Sequence, residues 1–140
     1  MFLPDVNLWL ALAFESHFHH VAAGNWFENR LDGDCSFCRL TQQGFLRVAT
    51  NPAAFGAEAV SLADAWPMYD ALRLDPRVAF SAEPPGVETY WRAYTQRESF
   101  SPKVWSDAFL AAFARAGNLQ VVTFDQGFSQ FADLACSILS

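Results

Sequence analysis

Short apolar runs of strand character alternate along this chain with longer segments of helical pattern, and no other feature restricts the fold as tightly. Five such runs are read and four can be placed: MFLP (1–4), CSFCRL (35–40), RVAF (77–80) and LQVVTF (119–124). Between them stand NLWLALAFES, AAGNWFENRL, TQQGFLRVAT, SLADAWPMYDALRLD, VETYWRAYTQR and SPKVWSDAFLAAFARAG, each read as helix. Strand followed by helix, repeated, predicts a parallel sheet with helices on both faces and right-handed crossovers. The expected class is therefore α/β, a three-layer α/β/α arrangement around a central parallel sheet. LQVVTF, apolar without interruption, reads as a strand covered on both faces.

Local signals refine the element ends. Thr41 is expected to cap the helix after the second strand. Ser101 should cap the last long helix, with Pro102 at its first position and Gly117 as its stop. Pro67 must kink its helix or sit in the first turn. NPAAFG (51–56) reads as a turn. With no repeat, linker or low-complexity segment, the 140 residues are expected to form one domain, 1–140.

Composition excludes several classes. A chain that is 52% hydrophobic and 16% aromatic is not disordered, and with only 17% charged residues some apolar surface is expected to meet a partner chain. No apolar run approaches the roughly 18 residues of a membrane span, and no basic segment precedes an apolar stretch with a cleavage site. Neither a membrane segment nor a signal peptide is read, and the expected location is the cytoplasm. Three cysteines are an odd set, and the lone C-x-x-C of Cys35 and Cys38 is a weak zinc signal that reads better as buried strand. Nine basic residues face fifteen acidic ones, a net charge of −6. That balance opposes a polyanionic ligand unless a local basic rim or bound cations assist.

The acids themselves are placed by topology. In a parallel sheet the C-terminal strand ends open on one edge, where ligands bind. Asp5 directly follows the first strand, Asp125 directly follows LQVVTF, and Asp107 lies in the second turn of the helix leading into that strand. Three carboxylates on one rim repel one another and raise each other's pKa unless a cation sits among them. Hard oxygen ligands suit Mg2+, with Mn2+ as a substitute, and such an ion can activate water and neutralise a phosphoryl group. Each aspartate could instead cap a turn or helix.

PDVNLWLAL, FCRLTQQGFLRVATNP and SPKVWSDAFLAAFARAGNLQVVTFDQGF together resemble the PIN-domain ribonucleases, and within them the VapC toxins of bacterial toxin–antitoxin pairs. The resemblance spans essentially the whole chain. It implies a PIN-like fold and a metal-dependent endoribonuclease that hydrolyses RNA phosphodiester bonds. Asp5 and Asp107 match the core metal ligands and Asp125 the further acid, while Asn7 and Thr123 match polar neighbours that orient them. Arg39 and Arg47 are candidates for phosphate contacts. Many PIN domains carry another acid on the helix after the second strand; here Gln43 and Gly44 occupy that region. The resemblance also implies a VapB-like antitoxin, whose tail arginine would reach Asp5 and Asp107, a homodimer, and higher toxin–antitoxin assembly.

His17, His19 and His20 in SHFHH suit zinc or copper better than Mg2+ and are not expected to be ligands. Trp9, Phe14, Trp26, Phe27, Trp105, Phe109 and Phe113 read mostly as core, with a minority forming a partner groove. A phospho-receiver domain would need an acid pair after the first strand and a lysine after the last; the chain offers D-V-N and the single Lys103. The remaining alternative is a catalytically weak or inactive PIN module that binds RNA or protein.

Overall fold

The computed structural model describes Met1–Ser140. Five strands, β1 (Phe2–Pro4), β2 (Cys35–Phe37), β3 (Val78–Phe80), β4 (Gln120–Thr123) and β5 (Cys136–Ile138), form one sheet in the order β3-β2-β1-β4-β5. Every pairing is parallel. The seven helices are α1 (Val6–Ala13), α2 (His20–Glu28), α3 (Arg39–Ala49), α4 (Pro52–Phe55), α5 (Leu62–Leu74), α6 (Val87–Tyr94) and α7 (Val104–Gly117). The expected α/β class and central parallel sheet are both observed.

Burial explains the layers. In β4, Val121 packs with Leu110, Phe113 and Phe128, whereas Val122 packs with Leu8, Ala11 and Ala23. Successive side chains of a strand point to opposite faces, so both faces are covered, as the unbroken apolar run predicted. A further cluster joins Trp9, Phe37, Phe45 and Tyr69 beneath α1, α3 and α5, with the Trp9 and Phe37 rings stacked at 4.0 Å.

The strand order reverses direction between β1 and β4, and that is where an open parallel sheet forms its crevice. Pro4 pairs with Val122, and the Asp5 N–H continues the ladder to the Val122 carbonyl at 2.9 Å. Asp5 is thereby set beside Thr123.

Several element ends differ from expectation. α3 starts at Arg39, not after Thr41, because Cys38 occupies the cap and Thr41 sits three residues on, its hydroxyl accepting the Cys38 N–H at 3.0 Å. The second strand accordingly ends at Phe37. α7 begins at Val104 rather than Pro102: Ser101 to Lys103 form a preceding turn, closed by Val104 N–H donating to the Ser101 carbonyl. Asp107 consequently lies in the first turn of α7. The helix ends at Gly117, and the left-handed residue after it is Asn118, a conformation asparagine tolerates. Pro67 lies inside α5 beyond its first turn. NPAAFG contains a short helix, since the Asn51 side chain caps it by accepting the Ala53 N–H. β5 lies in a stretch where no strand is expected from the sequence; its CSI is short and only half-buried at the sheet edge.

Candidate active site

Thr123 holds the site together. Its side chain is fully buried, and its hydroxyl donates to Asp5 Oδ2 at 2.8 Å while accepting from Asn7 Nδ2 and the Asp125 N–H, each at 3.0 Å. Asn7 also accepts the Phe124 N–H through Oδ1 at 3.3 Å. One hydroxyl at the end of β4 therefore fixes residues from the β1–α1 turn and from the segment after β4.

Asp5 has two tasks. Its Oδ1 accepts the Val6 N–H at 2.7 Å and caps α1; its Oδ2 faces Thr123 and, at 3.3 Å, Asn7 Nδ2. Burial pushes the Asp5 carboxyl above the ordinary aspartate range, the Thr123 and Val6 hydrogen bonds oppose this, and the Asp125 charge adds to it. Asp125 likewise caps the turn Gln126–Gln130, its Oδ1 accepting the Gly127 N–H at 2.8 Å. A Cβ on Gly127 would lie 3.0 Å from that oxygen, so glycine suits the tight turn. Capping and site placement coexist in both residues.

Asp107 differs, for no hydrogen bond lowers its pKa. Burial first, then the charges of Asp5 and Asp125, push it up to about 6. Asp5 and Asp107 line one cleft of about 320 Å³ between α1, α3 and α7, together with Asn7, Thr41, Ser106 and Arg47. Asp125 lies outside that lining yet perturbs both other acids. No ion pair compensates any of the three; the two salt bridges join Arg77 to Asp75 and Arg92 to Glu88 elsewhere. Nor do three acid, imidazole or thiol side chains converge at coordinating distance. The result is a zone of uncompensated negative charge without a preformed cage.

That donor set fits a hard divalent cation. The donors are carboxylate oxygens, and two carboxylates with water and phosphate oxygens meet the usual Mg2+ requirement without a third ligand. Burial of like charges with no basic partner is the condition a cation relieves.

The arginines divide. Arg47 lines the acid cleft, whereas Arg39 lines the neighbouring apolar groove, over the Phe80 ring at 5.0 Å and hydrogen-bonded to Gln42 Oε1. Gln43 also faces that groove, and Gly44 faces the acid cleft. A Cβ on Gly44 would come within 2.5 Å of Val6 Cγ2, so with Val6 in place α3 and α1 meet closely at this point. Gly44 and Ser106 were not anticipated as cleft residues. The close approach has no local sequence signal, although a hydroxyl beside Asp107 at a helix start could have drawn attention to Ser106.

The histidines are structural. His19 stacks on Phe124 at 4.1 Å, His20 Nδ1 bonds the Ala11 carbonyl at 2.7 Å, and His17 Nδ1 accepts the His19 N–H. Cys35 and Cys38 are buried free thiols, and burial pushes Cys35 up to about 12.

The PIN domain family model matches residues 2–134. The chain belongs to the PIN-domain family. Within it the VapC ribonucleases are similar along the full length: Ribonuclease VapC41 of Mycobacterium tuberculosis is 42% identical, with 100% of this chain and 99% of the relative aligned. Among solved structures, VapBC2 from Rickettsia felis bound to a promoter DNA fragment superposes with a TM-score of 0.69 at 10% identity, covering 99% of this chain and 98% of that one. Mycobacterium tuberculosis VapC20, described as a sarcin–ricin loop cleaving toxin, gives 0.68 at 16%, with 96% of each chain covered. At those identities the structures speak for the shared PIN fold, and the PIN sheet is the one that sets Asp5 against Thr123.

Proposed function

We propose that this chain is a VapC-type ribonuclease toxin, a divalent-metal-dependent endoribonuclease restrained by a VapB-like antitoxin. The observation that carries the reading is the set of uncompensated carboxylates Asp5, Asp107 and Asp125 at the sheet's switch point, in a chain similar over its full length to VapC ribonucleases.

Asp5 and Asp107 would hold the ion, Mg2+ or its substitute Mn2+, and Asp125 would hold a second ion or orient the attacking water. A bound divalent cation supplies activation of water and neutralisation of charge on the phosphoryl oxygens. The chain's own residues do the positioning. Thr123 and Asn7 hydrogen-bond Asp5 Oδ2 and orient it, while the walls of α1, α3 and α7 limit solvent around Asp107. Arg47, which lines the same cleft, would meet substrate phosphate. The ion also explains how a protein of net charge −6 accepts RNA.

Purified protein should cleave RNA with Mg2+ or Mn2+ and stop on chelation, and Asp5→Asn or Asp107→Asn should lower the rate by at least about a hundredfold. RNA bound but left intact by the wild type would instead favour the inactive-module reading. That alternative draws on the lack of three converging ligands and of an acid at Gln43 or Gly44. Restraint by antitoxin would follow if a tail arginine satisfied Asp5 and Asp107; Mg2+ affinity unchanged by the partner would count against this. A homodimer, assembling further with antitoxin in the cytoplasm, completes the proposal. No helix is long and apolar enough to cross a membrane.

A further inference from the structure

Beside the acid cleft lies a second cavity, about 530 Å³, lined by aromatic side chains that the acid chemistry does not use. Phe80, Trp91, Trp105, Phe109 and Phe113 supply its rings, and Arg39 and Glu83 its charged groups. Leu40 and Ser106 line both this cavity and the acid cleft, so the two are adjoining compartments of one surface. Trp105 stands two residues before Asp107 in the first turn of α7.

The rings are held in place before any ligand arrives. Trp91 Nε1 donates to the Trp105 carbonyl at 3.0 Å. Trp91 stands edge-on to Phe109 at 5.1 Å and to Trp105 at 6.1 Å. Trp105 nonetheless remains 57% exposed, which leaves ring surface free for a ligand. Arg39 is fixed by Gln42 and the Phe80 ring.

We infer that this cavity is a base-binding subsite, which receives an unstacked RNA base next to the phosphate held at the acids, with Trp105 as its main stacking surface. The inference rests on the RNA-directed reading above. Three features favour a base over a protein segment. The cavity is concave and of ligand size rather than broad and flat. It adjoins the acid cleft, with Leu40 and Ser106 lining both. It also combines flat aromatic faces with a donor, Arg39, and an acceptor, Glu83, the combination that reads base edges in single-stranded RNA. Stacking needs no net positive charge, so it suits an acidic protein better than a basic groove would.

The test compares two nuclease-resistant phosphorothioate octamers binding the full-length protein in Mg2+, octaadenylate and the same sugar–phosphate backbone without bases. The readouts are tryptophan fluorescence and, in parallel, sedimentation. Octaadenylate should bind at least about tenfold more tightly than the base-free strand. Trp105→Ala should remove about tenfold of the octaadenylate affinity and leave base-free binding unchanged, while Trp105→Phe retains most of the preference. Equal affinity for the two strands, binding of neither, or a Trp105→Ala effect shared equally by both overturns the subsite. So does dissociation of a dimer by Trp105→Ala with RNA affinity intact, which would assign the cavity to a second copy of the chain. RNA cleavage without base preference sinks the subsite alone; base preference without cleavage sinks the nuclease reading alone.

Discussion

Thr123 illustrates how much one buried hydroxyl can set. It donates once and accepts twice, and its three partners come from Asp5, Asn7 and the Asp125 backbone. Thr123→Val keeps the shape and deletes all three contacts. Equilibrium urea unfolding should show a loss of about 1–3 kcal/mol, since buried polar partners are left unpaired. A second test at this scale uses pH. The folded pKa of Asp107, about 6, lies above its ordinary 3.8, and Asp5 is displaced in the same direction. Between those values the folded chain carries more protons than the unfolded one, so this contribution makes stability rise as pH falls from 6 towards 4. Above pH 6 the penalty is fully present. For a half-exposed group it is on the order of 1 kcal/mol after screening. Asp75, held down by Arg77, titrates in the opposite sense, so the comparison to make is wild type against Asp107→Asn in metal-free buffer. A difference between the two that does not grow with pH from 4 to 6 would contradict the electrostatic account.

At the scale of elements, the crossing of α1 and α3 forms one wall of the acid cleft. Gly44 permits it, because a methyl group there would meet Val6 at 2.5 Å. Gly44→Ala should gain about 1 kcal/mol in helix propensity and lose about 1–3 kcal/mol to overpacking, a net loss in thermal melting. Val6→Ala in the same chain should restore most of it, and additivity of the two changes would disprove the contact. The same crossing bears on the missing helix acid. Gly44 is at the cleft wall, and any side chain placed there, a carboxylate included, would first meet Val6.

For the whole molecule, the governing quantity is charge brought together by the fold. A divalent ion that binds the folded chain and not the unfolded one raises stability by an amount set by its concentration over Kd. Millimolar Mg2+ should therefore raise the melting temperature of the wild type by a few degrees, and Asp5→Asn should abolish the rise. The measurement is independent of cleavage, and an equal rise in both proteins would show that the ion binds elsewhere.

Much of this architecture was legible from the chain. The alternation of MFLP, CSFCRL, RVAF and LQVVTF with helices specifies a parallel sheet because such strands can pair only through helical crossovers. Asp5 and Asp125, each just past a strand, had to reach the same edge by direction alone. Cap chemistry was less legible: Cys38 and Lys103 precede their helices in place of the expected Thr41 and Ser101. Those ends are decided by where each strand lets its helix start, which local preference registers weakly. The short edge strand Cys136–Ile138 escaped notice because half-buried residues bear no unbroken apolar run. Only the tertiary structure decided the network at Thr123, the glycine contact with Val6 and the joining of the aromatic cavity to the acid cleft. Each depends on distances between residues remote in sequence, and those distances are set by packing of whole elements, to which a one-dimensional pattern is blind.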